Sequence, residues 1–142
     1  MNRWLAHLIL VVFVTLSGCG GDPYKFVPVS GKVTLDGKPL ANANVIFQPV
    51  TKPGSGKAGE TSRAVTGNDG RFTLTSSSGK AGAASGEHTI RITTVVTESQ
   101  GDGVPAKIVK KELAPEKYVS GTPFTVPDAG TEEANFEMKA GG

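Results

Sequence analysis

From residue 27 onward, apolar and polar side chains alternate. Val29, Gly31, Val33 and Leu35 share one parity, and Ser30, Lys32 and Thr34 the other. A period of two is the signature of a strand buried on one face. The strand ends at Asp36-Gly37, where glycine accepts a positive φ without steric cost. Lys38-Pro39-Leu40-Ala41-Asn42-Ala43 leads to a second apolar run, Asn44–Pro49. The Asn68-Asp69-Gly70 turn then separates Arg63–Thr66 from Arg71–Thr75, and this spacing predicts a hairpin. The longest β-rich run is His88–Thr97, with Ile90 and Ile92 on one face and Thr89, Arg91 and Thr93 on the other. Ile108-Val109, Phe124–Val126 and Asn135–Met138 complete the expected strands. After Cys19 no stretch of about ten residues shows the apolar spacing of a helix. About seven short strands with frequent turns predict an all-β protein, a single β-sandwich.

The first eighteen residues follow a different pattern. Arg3 supplies a positive start, no acidic residue precedes Asp22, and Leu8–Val14 is continuously apolar. Small residues then lead to Cys19. This is the layout of an export signal, and Trp4–Leu16 falls short of the roughly 20 apolar residues that a transmembrane helix needs. His7 within it reads as a tolerated polar residue. Leu16-Ser17-Gly18-Cys19 resembles the lipobox of bacterial lipoproteins. The resemblance implies lipid on the Cys19 thiol, cleavage before it and acylation of the freed amine. Two or more acyl chains anchor stably, because each buried methylene contributes about 0.8 kcal/mol. The expected division is a signal peptide over 1–18, lipidated cysteine and tether over 19–26, the sandwich over 27–139 and a tail over 140–142. Gly20 stands where an aspartate often marks inner-membrane retention in lipoproteins, which favours the outer membrane within a cell-envelope location.

Composition narrows the field. The 142 residues suit one domain, and a net charge of +2 with scattered charges leaves no footprint for nucleic acid. Nineteen glycines and nine prolines lie between apolar runs, as turns between short strands require. With one cysteine, no internal disulfide can form, so the fold must rest on its apolar core.

The segment Val29–Phe47, with its Gly31, its turn at Asp36-Gly37 and Pro39-Leu40-Ala41-Asn42-Ala43, resembles the opening of carboxypeptidase-regulatory-like domains. Thr66–Leu74 is similar to their T-x-x-D-G-x-F-x-L hairpin. Ser85–Ile92 is similar to their G-x-Y-x-v-x-v strand, with His88 where an aromatic is common. Pro115-Glu116-Lys117-Tyr118 and Asn135-Phe136 match the late motifs of small lipoproteins carrying one such domain. The resemblance spans roughly residues 27–138. It implies a transthyretin-like (immunoglobulin-like) sandwich without catalytic activity of its own.

Candidate chemistry is sparse. Gly54–Gly59 matches G-x-G-x-x-G, but the fingerprint needs a strand before it and a helix after it; Lys52-Pro53 precedes it and a strand follows. Asn68 and Asp69 offer oxygens to Ca²⁺, a cation that takes six to eight ligands, while turn formation alone accounts for both residues. Glu98, Asp102, Asp128, Glu132 and Glu133 are loop carboxylates without an evident meeting point. His88 is the only histidine outside the leader, so neither a histidine metal cluster nor a second candidate base exists. Ser76-Ser77-Ser78 lacks a nucleophile-elbow frame. Carbohydrate modules stack sugars on exposed aromatics, yet the one tryptophan, Trp4, lies in the leader; Tyr24 and Tyr118 remain as platforms, with Phe47, Phe72, Phe124 and Phe136 expected in the core. Lys107, Lys110, Lys111 and Lys117 make a locally basic stretch beside Glu112 and Glu116, best read as a solvated face. The long loops 51–62 and 98–106 are where a partner would bind.

The expectation is therefore a non-enzymatic lipoprotein without a cofactor, anchored through acylated Cys19 and serving protein–protein contact or envelope structure. A carbohydrate- or calcium-binding module using the long loops is the alternative.

Overall fold

A computed structural model describes residues 24–51, 53–54, 59–98, 101–105 and 107–141. Leu16, Ser17, Gly18 and Cys19 lie outside the described residues. Alternation decides the first ladder: β2 (Ser30–Leu35) turns at Asp36 (φ 51°) and Gly37 (φ 77°) into β3 (Lys38–Pro39). Two successive positive φ angles make the primed turn that matches strand twist. Before them, β1 (Phe26–Val27) pairs with β8 (Ala83–Ala84). Tyr24 is buried, so residues 24–26, expected to belong to the tether, are part of the packed body.

Next, β4 (Asn44–Pro49) sits at the centre of a five-stranded sheet, flanked by β5 (Ser62–Val65) and by β9 (Gly86–Thr93). At its edges lie β7 (Thr75–Ser76), beside β5, and β12 (Thr122–Val126), beside β9. The facing sheet is built on β2, which pairs with β3, β6 (Arg71–Thr73) and, in parallel, β13 (Phe136–Met138). β10 (Val96–Glu98) and β11 (Lys107–Lys110) form a separate two-stranded ribbon. The protein is an all-β sandwich. Nine of the thirteen strands among the described residues lie in the two main sheets, more than the seven expected because several runs break.

The expected hairpin between Arg63–Thr66 and Arg71–Thr75 forms only at its far end, where Arg63 pairs with Thr75, and Arg71–Thr73 leaves it. β5 pairs with β4 and β7, whereas β6 pairs with β2 in the opposite sheet. Thr66 explains the divergence. Its hydroxyl donates to the Leu40 carbonyl at 2.6 Å and accepts from the Ala43 amide at 2.9 Å. Its amide donates to the Ala43 carbonyl at 2.9 Å, and its carbonyl accepts from the Asn42 amide at 3.0 Å. The chain is thereby tied to the 40–43 corner and crosses to the other sheet through the turn ending at Gly70. The run 71–75 also splits. Leu74 donates to the Val29 carbonyl and accepts from Gly82, both outside the ladders, before β7 rejoins the larger sheet.

Phe47, fully buried, centres the core, with Phe124, Phe136 and Phe72 at ring-centroid distances of 5.6, 6.1 and 6.3 Å. Val33, Val45, Leu74, Ile90 and Ile92 pack around them. The expected parity holds: Ile90 and Ile92 are buried and Arg91 is exposed. One short helix, α1 (Glu116–Ser120), follows Pro115 and packs on β9, bringing the Tyr118 ring edge-on to Phe136 at 6.3 Å.

Candidate functional site

The outward faces of β2, β6 and β13, with the segment entering β13, share an open groove of about 470 Å³ lined by Lys32, Thr34, Arg71, Glu132, Glu133, Asn135 and Glu137. Lys32, Thr34, Arg71 and Glu137 are the polar-parity residues of their strands, so the alternation that buries Val33 and Phe136 also builds much of the groove. Two cations face three carboxylates. Asn135 accepts the Lys32 amide through Oδ1 at 3.0 Å, which ties the strand entering β13 to β2.

Asn68 and Asp69 stand apart as turn residues. Asp69 Oδ1 accepts the Arg71 amide at 3.0 Å, and Oδ2 lies 3.9 Å from Arg71 Nε. Among the described residues no three His, Cys, Asp or Glu side chains gather as a metal site. Tyr24 is no platform, since it is buried against Gly59. Tyr118 is half-buried under Phe136. Residues 55–58 of the glycine-rich loop lie outside the described residues, and the chain beyond it enters β5 as expected.

His88 is buried at the start of β9, 5.8 Å from the Phe47 ring. Its Nδ1 donates to the Gly86 carbonyl at 3.0 Å, while Nε2 is buried without a partner. Burial pushes its pKa below 6.5, against the opposing pull of the Gly86 hydrogen bond. The neutral imidazole is therefore the folded form, and its share of stability is present above pH 6.5 and lost as pH falls through the lowered value.

The densest polar cluster was invisible in the sequence. Glu112 closes the base of the ribbon, where β9 ends and α1 approaches. Its Oε1 accepts from the amides of Thr94 (2.9 Å), Leu113 (3.0 Å) and Ala114 (2.9 Å), with the Thr94 hydroxyl also at 2.9 Å. Its Oε2 accepts the Thr93 hydroxyl. The buried Thr94 hydroxyl in turn accepts the Leu113 amide at 2.7 Å and lies 3.1 Å from the Lys111 carbonyl. This clasp interrupts the expected His88–Thr97 strand at Thr94-Val95. Desolvation raises the Glu112 pKa, but the bonds from Thr93, Thr94 and Ala114 outweigh it and hold the value down to about 2. Its stabilisation is then fully present above pH 4.5 and lost as pH falls toward 2.

Glu112→Gln is expected to cost about 1–2 kcal/mol at pH 7, allowing for solvent screening of a partly exposed carboxylate. Urea midpoints at pH 7 and pH 3 check this. The gap between wild type and variant should narrow at pH 3, and an equal gap at both values would contradict the clasp.

Beyond the clasp, the ribbon exposes apolar side chains: Val96 at 41%, Ile108 at 65%, Val109 at 44% and, at its foot, Leu113 at 47%. Lys107 and Lys111 beside them are exposed and Lys110 half-buried. The basic stretch is thus solvated, as expected, but it is interleaved with apolar residues.

Fold and surface together define a small all-β sandwich with a clasped two-stranded ribbon. The chain belongs to the family described as Domain of unknown function (DUF6795), whose model matches residues 29–126. No curated protein matches it. Among solved structures, a 9R-lipoxygenase from Cyanothece PCC8801 aligns over 80% of this chain at 12% identity and a TM-score of 0.40. The chain spans 16% of that lipoxygenase chain, and the likeness carries no functional weight.

Proposed function

We propose that the protein is a non-catalytic lipoprotein, anchored through acylated Cys19, whose sandwich serves protein–protein contact or envelope structure. One observation carries the reading. The basic start, apolar stretch and Leu16-Ser17-Gly18-Cys19 stand only five residues before Tyr24, the first buried residue described. A lipid on Cys19 would hold the sandwich close to the bilayer, since five residues reach at most about 17 Å. The carboxypeptidase-regulatory-like resemblance is consistent with the sandwich, and Gly20 favours the outer membrane. Support for a non-catalytic role comes from His88, whose ring is sealed in the core beside Phe47. The carbohydrate or calcium alternative is less well supported, because Tyr24 is buried and Asp69 closes its own turn.

Cys19→Ser, behind a leader cut by general signal peptidase, should release the chain from membranes. Fractionation is expected to show at least about a tenfold fall in the bound fraction, because removing the acyl chains removes the anchor. A variant that stays fully membrane-bound would refute the anchor.

A further inference from the structure

Exposed Val96, Ile108 and Val109 give the ribbon more apolar surface than a solvated hairpin needs. Isolated apolar residues on a surface are ordinary, whereas several on one projecting element mark an interaction site. Among the described residues no strand other than its partner pairs with β10 or β11. Each therefore keeps one edge of unpaired backbone groups, a template for another strand. The Glu112 clasp fixes both feet of the ribbon to the sandwich, at Thr93-Thr94 on one side and Leu113-Ala114 on the other. A partner would meet a pre-ordered edge, which lowers the entropic cost of docking.

We propose that the ribbon is a docking arm on which the free edge of β11, with Ile108 and Val109 exposed between Lys107 and Lys110, accepts an extended acidic strand of a partner protein. The proposal rests on the protein-contact reading above and names its surface and partner chemistry.

Charge selects this occupant over the other two. If β11 paired antiparallel with β11 of a second copy about its centre, Lys107 of one copy would face Lys110 of the other. Like charges directly opposed across strands are destabilising, and edge lysines guard sheets against self-pairing. An acidic strand turns the same lysines into attractive cross-strand partners.

Position argues against the anchoring membrane. The Lys25 carbonyl accepts the Ser85 amide at 2.8 Å, and the Glu87 carbonyl accepts the Val50 amide at 2.9 Å, so the chain enters beside the start of β9. The ribbon departs after Thr93, at the other end of that strand, roughly 23 Å away at about 3.3 Å per residue. Its tip also carries exposed Asp102, which a bilayer would reject.

A peptide of about eight residues centred on Glu-Val-Val-Glu, whose two Glu are three positions apart like Lys107 and Lys110 and so can face both, provides the probe. It is titrated into the isotope-labelled full chain in detergent micelles, with amide shifts followed by NMR. Shifts should cluster at Lys107–Lys110. Affinity should fall about tenfold or more in the combined Lys107→Gln, Lys110→Gln and Lys111→Gln variant at unchanged melting temperature, since the attractive cross-strand pairs are lost while no new like charge faces Glu98 or Glu112. N-methylation of alternate peptide amides should abolish binding by removing the strand's donors. Absence of binding overturns the proposal, as does equal binding by a Lys-Val peptide or by the N-methylated one. Self-association through β11, or recruitment of the ribbon to phosphatidylglycerol vesicles, also overturns it, by assigning the edge to a second copy or to lipid. If the Glu-Val peptide fails while Cys19→Ser still releases the chain from membranes, the docking arm falls and the anchored-module reading stands.

Discussion

Phe47→Ala is expected to lower the free energy of unfolding by about 3–5 kcal/mol, the usual cost of removing a buried phenylalanine ring. The site has little room to recover. Phe47 is fully buried on the central strand of the larger sheet, and Phe72, Phe124, Phe136 and His88 surround it from both layers. Each neighbour belongs to a different strand, so closing the cavity would require several ladders to shift together, and close-packed interiors relax only in part. For a domain with the usual 5–15 kcal/mol of stability, that is a large fraction of the whole. A urea titration provides the check: the midpoint should fall with an unchanged slope. Val65→Ala serves as a control, since Val65 is 60% exposed and surface changes usually stay within about 0.5 kcal/mol. Equal effects at the two positions would contradict the proposed core.

Gly31→Ala is the second large effect, and its sign runs against backbone preference. Within a strand, alanine normally outranks glycine by roughly 0.5–1 kcal/mol because glycine loses more conformational freedom on folding. Gly31 sits in β2, where a Cβ would drive into the Ala134 carbonyl, 2.5 Å from its carbon. The obstacle is backbone, held by the Ala134 amide bond to the Ser30 carbonyl at 3.1 Å and by Ser30 donating to the Thr131 carbonyl at 2.9 Å. To admit a methyl group the 131–135 segment must lift off β2, loosening β13 behind it. A net loss of about 2–3 kcal/mol is expected, in line with overpacked interiors. Thermal unfolding measures it, and a variant as stable as wild type or more so would show that the 131–135 segment does not lie where the fold places it.

Which face each residue takes was plain in the alternation; which strand it pairs with was not. β2 and β4 begin and end within a residue of the runs that foretold them, and Asp36-Gly37 makes the primed turn its composition suggests. A period of two encodes burial on one side but carries no label for the neighbour. Arg71–Thr75 could thus keep its parity and still feed both sheets. The switch depends on Thr66 bonding to Leu40 and Ala43, residues more than twenty positions away. The Glu112 clasp is hidden for the same reason: its partners Thr93 and Thr94 lie 18–19 residues upstream, and no local spacing announces it. The five-residue helix at Glu116–Ser120 is too short to show a helical period. Candidate sites fared according to their origin. Asp69 closes a turn whose signal is local, whereas Tyr24 packs beside Gly59, far along the chain, which no local pattern announces.

The lipid anchor is tested most directly by the mass of the N-terminal peptide released from the chain after extraction from membranes. A peptide beginning at Cys19 and heavier by a thioether-linked diacylglycerol and an amide-linked acyl group is the predicted result. A free Cys19 thiol, or a peptide still carrying residues 1–18, would contradict it.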